Sequence, residues 1–225
     1  MCGSDSRDIA GWPIERLTRL LEPTTDQRAL LDELANTSER AAQVIKAACT
    51  ATAALTPVGR LATMQMRLEA MLQAIDIVGM PLERFYDALN DEQKARLNGE
   101  QSQQRPRNAQ ALTARDCAAV NPVAQWPQAE IERAIQPTPD QAAKLDALKT
   151  AAAQAADMIA AACPVEMPMT PPARLDAIAK RLGALLDAVK LIQPPLNHFY
   201  SSLSDEQKAR FNLTGQAGAA PTAQR

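Results

Sequence analysis

One stretch of this chain occurs twice. Phe85-Tyr86-Asp87-Ala88-Leu89-Asn90-Asp91-Glu92-Gln93-Lys94-Ala95-Arg96-Leu97-Asn98 returns as Phe199-Tyr200-Ser201-Ser202-Leu203-Ser204-Asp205-Glu206-Gln207-Lys208-Ala209-Arg210-Phe211-Asn212. At an offset of about 114 residues the match extends well beyond it: Thr24 falls on Thr138, Gln27 on Gln141, Cys49 on Cys163, Pro57 on Pro171, Arg67-Leu68 on Arg181-Leu182 and Pro81 on Pro195. Trp12-Pro13 matches Trp126-Pro127, and Cys2 matches Cys117 with a one-residue slip. The chain is an internal duplication, and whatever one copy folds into the other must fold into as well.

Each copy reads as four helices. The first begins at Trp12-Pro13 (Trp126-Pro127) and ends before Pro23 (Pro137), proline being tolerated in a first turn and disfavouring helix just before it. The second runs from Thr24 or Thr25 to about Cys49, and from Thr138 to about Cys163. Its apolar seam is Leu30, Leu34, Ala41, Val44, Ala48 in one copy and Leu145, Leu148, Ala152, Ala155, Ile159, Ala162 in the other. The third is the longest. Leu61, Met64, Leu68, Met71, Ile75, Val78, Leu82, Phe85 and Leu89 alternate spacings of three and four, as do Leu175, Ile178, Leu182, Leu185, Val189, Ile192, Leu196, Phe199 and Leu203, the signature of left-handed helix pairing. Pro81 and Pro195 lie inside it, where a kink is expected. The fourth is short, Asp91 to about Asn98 and Asp205 to about Asn212. The predicted division is a first repeat over 1–98, a polar linker over 99–116, a second repeat over 117–213 and a disordered tail over 214–225.

Composition narrows the fold further. Hydrophobic residues make up 46% of the chain but aromatics only 3%. Much of the apolar content is alanine, which buries little area but lets helices approach closely. The expected fold is all-α, two tandem four-helix repeats with long heptad-patterned helices, elongated or cradle-like. A net charge of −2 gives no electrostatic case for nucleic acid or an anionic membrane. No apolar run reaches the roughly 18 residues of a membrane span, and no Gly-rich phosphate loop is present.

The repeated motif invites a catalytic reading, because Asp91-Glu92 and Asp205-Glu206 are adjacent carboxylates. Neighbouring helical residues point about 100° apart, so the two acids of a pair do not converge on a substrate. Spacing favours another role. Asn90 to Gln93 and Ser204 to Gln207 are capping boxes, in which cap side chain and Gln side chain each satisfy the other residue's backbone N–H. Thr24 to Gln27 and Thr138 to Gln141 repeat the device, so these eight residues are expected to be structural caps.

His198 is the single histidine, and no CxxC spacing exists. That inventory argues against zinc sites and Ser-His-Asp triads, so no catalytic residue, metal site or cofactor is expected. The methionines Met64, Met66, Met71, Met80, Met158, Met167 and Met169 offer soft ligands for Cu(I) or adaptable core filling. Core filling is the preferred reading, because Met64 and Met71 correspond to Ile178 and Leu185.

Four cysteines allow three pairings. The second helix, at about 24 residues, is about 36 Å long. The first helix turns back along it for about 15 Å, and the roughly ten residues before Trp12 extend about 33 Å more. Cys2 can therefore reach Cys49, and Cys117 can reach Cys163. Two disulfides within the repeats are expected, and with them an oxidising compartment; the alternative is four free thiols.

The pairs Thr24–Gln27 with Leu89–Gln93, and Thr138–Gln141 with Leu203–Gln207, set in an all-helical layout, resemble the LTXXQ-motif family, the Spy/CpxP-like periplasmic proteins. The resemblance covers both repeats. It implies a thin, curved helical cradle in the periplasm, usually a homodimer, acting as an ATP-independent chaperone without enzymatic activity. Other members regulate envelope-stress sensor kinases or respond to metals. Two units in one chain imply a monomeric pseudo-dimer or a homodimer. Met1-Cys2-Gly3-Ser4-Asp5 lacks the basic start and apolar stretch of an export signal, so a periplasmic location implies that a signal has been removed. The expected partners are unfolded client proteins, alternatively a sensor-kinase domain, and neither nucleic acid nor a membrane interior. Expected client contacts are apolar residues left exposed beside the seam, Met66, Leu72, Ile77 and Leu186, with Arg60, Arg67, Arg174 and Arg181 at the rim.

Overall fold

A computed structural model describes residues 14–49, 54–103, 128–163 and 168–214. These residues form eight helices and no strand: α1 Ile14–Leu21, α2 Thr25–Cys49, α3 Pro57–Ala88, α4 Asp91–Gln103, α5 Gln128–Ile135, α6 Pro139–Ala161, α7 Pro171–Ser202 and α8 Asp205–Thr214. The order is four helices, repeated. Trp12, Pro13, Trp126 and Pro127 lie outside the described residues. Helix α4 continues through Gly99 to Gln103, past the point where the sequence pattern ended it. Helix α3 runs unbroken through Pro81, and α7 through Pro194 and Pro195.

Local chemistry sets the ends. Helices α1 and α5 each stop on a residue in the left-handed region, Glu22 with φ 46° and Gln136 with φ 50°. The Glu22 N–H donates to Thr18 O at 3.0 Å, and Gln136 N–H to Glu132 O at 2.8 Å. This closes the last turn with a single left-handed cap, and Pro23 and Pro137 then prevent helix from resuming. The long helices start on caps that the spacing argument passed over. Thr56 Oγ1 accepts from Gly59 N–H at 3.1 Å, and Thr170 Oγ1 accepts from Ala173 N–H at 3.4 Å. Pro57 and Pro171 occupy the first helical position, where a missing N–H costs nothing.

The chain divides into two compact units. The first takes in α1, α2, α3 from Met66 onward, α4, and the opening of α7 up to Gly183. Its core is Leu17, Leu21, Leu31, Leu34, Leu82, Phe85, Leu89 and Leu97, with Leu175 among the residues packed against it. The second takes in α5, α6, α7 from Ala184, α8, and the opening of α3 up to Gln65. Its core is Ile131, Ile135, Leu145, Leu148, Leu196, Phe199, Leu203 and Phe211, with Val58 and Leu61 packed against it. The two lists correspond position by position through the repeat. Each unit is thus built on one repeat and completed by the first turns of the other repeat's long helix.

The packing departs from the sequence pattern at defined places. In α2 the fully buried leucines are Leu31 and Leu34, with Leu31 in the place expected of Leu30, and Thr37 and Ser38 join them on the buried face. Thr37 Oγ1 and Ser38 Oγ donate to Leu34 O at 2.9 and 2.8 Å, so each hydroxyl is satisfied by its own helix and can face the core. In α6 the same positions are Ala151 and Ala152, both buried.

The heptad seam is buried at Leu68, Leu82, Phe85 and Leu89, but Met64 and its counterpart Ile178 are 42% and 52% exposed. Core filling by methionine is also overturned. Met64, Met66, Met80, Met158 and Met169 are exposed and Met71 is half-buried; Met167 lies outside the described residues. Periodicity shows which face of a helix is apolar, not how far along that face a partner reaches.

The left-handed cap of α1 carries a side chain where glycine is the residue without steric penalty. Replacing exposed Glu22 by Gly is expected to raise unfolding free energy by roughly 0.5–1 kcal/mol, measured by urea denaturation.

Candidate functional site

The most constrained polar site in each unit is a pair of glutamines. Thr24 N–H donates to Gln27 Oε1 at 3.0 Å, and Gln27 N–H donates to Thr24 Oγ1 at 3.3 Å. Asn90 N–H donates to Gln93 Oε1 at 3.0 Å, and Gln93 N–H donates to Asn90 Oδ1 at 2.8 Å. These are two capping boxes, starting α2 and α4.

The boxes are joined to each other. Gln27 Nε2 donates to Gln93 Oε1 at 2.9 Å, and Gln93 Nε2 donates back to Gln27 Oε1 at 3.0 Å, closing a cyclic amide pair. The second N–H of each amide reaches the last carbonyl of another helix. Gln27 Nε2 donates to Ala88 O of α3 at 2.7 Å, and Gln93 Nε2 donates to Leu21 O of α1 at 2.8 Å. Every donor and both acceptor positions of each side-chain amide are therefore used. Gln27 and Gln93 are 8% and 4% exposed, so an unpaired group here would carry a full desolvation cost. Four helix ends meet at one joint: the C-termini of α1 and α3 and the N-termini of α2 and α4.

The second unit repeats the joint. Gln141 Nε2 donates to Gln207 Oε1 at 2.9 Å and to Ser202 O at 2.8 Å. Gln207 Nε2 donates to Gln141 Oε1 at 3.0 Å and to Ile135 O at 3.2 Å. Thr138 N–H and Ser204 N–H complete it, donating to Gln141 Oε1 and Gln207 Oε1 at 3.0 and 2.9 Å. Gln141 N–H and Gln207 N–H donate to Thr138 Oγ1 and Ser204 Oγ at 3.4 and 3.2 Å.

The rest of the duplicated motif clasps the return helix to this joint. Tyr86 OH accepts from Asn98 Nδ2 at 3.1 Å, while Tyr200 OH donates to Asn212 Oδ1 at 3.2 Å. Lys94 and Lys208 lie 5.4 and 5.9 Å from the ring centroids of Tyr86 and Tyr200. Phe199 meets Phe211 edge-to-face at 5.6 Å. Arg96 Nη1 donates to Leu20 O at 3.2 Å.

Asp91, Glu92, Asp205 and Glu206 are exposed in the first turns of α4 and α8, where the helix dipole favours negative charge. Glu92 and Glu206 form i,i+4 contacts with Arg96 and Arg210 at 3.7 and 2.7 Å. Exposed pairs of this kind contribute little to stability, and nothing turns the carboxylates toward a common point.

The residues expected at a client surface fare unevenly. Met66 is 48% exposed, and Leu72, Ile77, Arg60, Arg67, Arg174 and Arg181 are half-buried. Leu186 is buried, at 8%. The buried arc of α7 takes in the adjacent positions Leu186, Ala188 and Val189, wider than the two-position seam assumed, so Leu186 is not a surface contact. Arg174 Nε donates to Pro168 O at 3.0 Å, which ties the turn before α7 to that helix. The larger exposed apolar groups were missed: Leu55 at 77%, Met80 at 67%, Met169 at 68% and Leu213 at 65%. Leu55 and Met169 are equivalent positions ahead of the two long helices. Two large apolar residues at matched positions were a readable signal; whether packing covered them was not. Cys49 and Cys163 are disulfide-bonded, while Cys2 and Cys117 lie outside the described residues.

Taken together, these features define an all-α tandem-repeat protein in which each repeat is closed by a paired-glutamine joint. The family profile described as LTXXQ motif family protein matches residues 9–101 and again residues 123–214. The chain belongs to the LTXXQ motif family, with two copies in tandem. Members of that family are periplasmic in general and of non-enzymatic chaperone or regulator type. No curated protein and no solved structure matches the chain. No helix among the described residues is long and apolar enough to cross a membrane.

Gln27→Glu keeps the shape but replaces the two amide donors with a carboxylate facing Ala88 O and Gln93 Oε1. The expected cost at pH 7 is roughly 2–4 kcal/mol. The buried acid's folded-state pKa is raised above its unfolded value. The penalty should therefore shrink as pH falls toward the unfolded carboxyl range and grow as pH rises through the raised folded pKa. Urea melts of variant and wild type across pH measure both.

Proposed function

We propose that this protein is an ATP-independent periplasmic chaperone that holds unfolded or aggregation-prone clients. The supporting observation is the exposure of large, flexible apolar side chains that the cores do not use. Met64, Met66 and Met80 on α3, Met158 on α6, and Leu55 and Met169 ahead of the long helices all stand in solvent. Unbranched methionine side chains repack against varied partners, which suits a surface that must accept many sequences. Half-buried Arg67 lies between Leu68 and the exposed Met66, and its Nε is buried without a hydrogen-bond partner. It offers a cationic contact beside that apolar surface. Clients are the proposed partners.

The intact protein is expected to suppress aggregation of a reduced or heat-stressed client at stoichiometric amounts without ATP. Changing Met64, Met66 and Met80 together to Glu should weaken suppression several-fold while leaving the melting transition in place. No suppression by wild type at excess contradicts the reading, and one saturable complex with a sensor-kinase periplasmic domain in its place favours a regulator.

We also propose that Cys2 pairs with Cys49 and Cys117 with Cys163, consistent with an oxidising compartment. Closing a loop of about 47 residues stabilises by roughly 4 kcal/mol in the chain-entropy view. Peptide mapping of the non-reduced protein should recover these two linked pairs, and a Cys49–Cys163 peptide would overturn the assignment.

A further inference from the structure

The two copies of the duplicated motif part company just at its end. Asn98 is followed by Gly99, whereas its counterpart Asn212 is followed by Leu213, and Asn98–Gly99 is the single Asn-Gly step in the 225-residue chain. Gly99 is exposed inside α4 and has no positive φ, so no turn requires it. A Cβ built on it meets nothing within 4 Å, so no neighbouring element covers it. Glycine within a helix weakens that helix. Leu97 is the last residue of α4 in the buried cluster, and the sequence from Asn98 to Gln103, Asn-Gly-Glu-Gln-Ser-Gln, holds no apolar residue. Asn98 is half-buried, its Nδ2 donating to Tyr86 OH at 3.1 Å. Opening the end of α4 therefore breaks that hydrogen bond and few buried contacts.

We propose that Asn98–Gly99 is a deamidation site, at which the chain's own backbone converts the Asn98 amide to a carboxylate. The Gly99 backbone nitrogen attacks Asn98 Cγ and forms a new C–N bond. The Gly99 amide proton passes to water, the Cγ–Nδ2 bond breaks, and the side-chain nitrogen leaves as ammonia. The product is a cyclic succinimide. Water then adds to one of its two carbonyls and opens the ring, giving aspartate or isoaspartate. The sum is one amide and one water converted to one carboxylate and one ammonium ion, with no change of oxidation state. Glycine matters at the following position because it adds no Cβ to crowd the ring and reaches the backbone angles that closure needs. Leu213 obstructs the same step at Asn212. In the closed helix the Gly99 nitrogen is held away from Cγ and Tyr86 anchors the amide, so closure proceeds from the opened end of α4. The two products differ in consequence. Aspartate keeps the clasp, because Tyr86 OH turns to donate to it as Tyr200 OH donates to Asn212 Oδ1. Isoaspartate carries one extra backbone carbon, which breaks the helical register. Helix α4 then ends before Gly99, while Gln93 and Leu97 stay in place.

The test incubates the full-length folded protein at mildly alkaline pH and follows each asparagine by peptide mass spectrometry, with fragmentation that separates isoaspartate from aspartate. Asn98 should convert ahead of Asn36, Asn90, Asn197 and Asn212, with isoaspartate the larger product. Gly99→Ala should slow conversion at Asn98 by roughly an order of magnitude and leave the other asparagines unchanged. Tyr86→Phe removes the acceptor for Nδ2 and should speed conversion several-fold in the folded protein, while in urea this variant and wild type react at one rate. Asn98→Asp should leave the thermal transition unshifted, and the isoaspartate fraction should gain a site of limited proteolysis at the end of α4. The proposal is overturned if Asn98 keeps its amide in the folded protein while the urea-unfolded chain converts, if Asn212 converts as fast, or if Tyr86→Phe leaves the folded rate unchanged. None of these outcomes depends on chaperone activity.

Discussion

Two glutamine side chains hold each unit's helix ends together. A primary amide has two donors and two acceptor positions, and here none is left to water. One oxygen position receives a cap N–H, the other receives the partner amide, and the two N–H groups go to the partner and to a terminal carbonyl. Orphan groups at helix ends are an obligatory cost of an all-helical fold. The joint satisfies such groups from four helices with two residues. Its selectivity follows from valence, since Glu has no N–H, Asn is shorter by one methylene, and Leu would leave two carbonyls and two N–H groups without partners in a buried place.

The joint matters because the cores around it are small. Eight buried residues form each main cluster, and the later turns of α2 and α6 present mostly Thr, Ser and Ala to their neighbours, with Ile159 the larger buried side chain of α6. Small residues allow close approach but give little interdigitation to define register. The paired amides define it at one end, where the α1–α2 and α3–α4 connections meet. In the first turns of the long helices Leu61 and Leu175 pack against a core, while Met64 and Ile178 leave the seam for solvent.

Much of this was legible locally. The duplication, the four helices per copy and the four capping boxes follow from spacing, because caps act over three residues. The pairing of Gln27 with Gln93 was not, because 66 residues separate them and no local pattern records which box faces which. Thr56-Pro57 and Thr170-Pro171 are readable as helix starts, since a capping threonine followed by proline at the first helical position is a local signal. Glu22 and Gln136 in left-handed conformation had no glycine or asparagine to announce them. The heptad pattern placed Met64 and Ile178 in the seam and Leu186 outside it, and the structure reverses both. An apolar stripe records preference for burial, while the depth and length of burial are set by the neighbouring helix. Exposed methionine, the basis of the functional proposal, is legible only once that neighbour is in place.

The most direct measurement is a double-mutant cycle on the first joint, using Gln27→Ala, Gln93→Ala and the double variant in urea denaturation. Removing either amide strands the groups of the other, so the second truncation should cost less than it does alone. The expected coupling between the two positions is about 1–3 kcal/mol. Costs that add within about 0.3–0.5 kcal/mol would show two independent caps and contradict a shared joint.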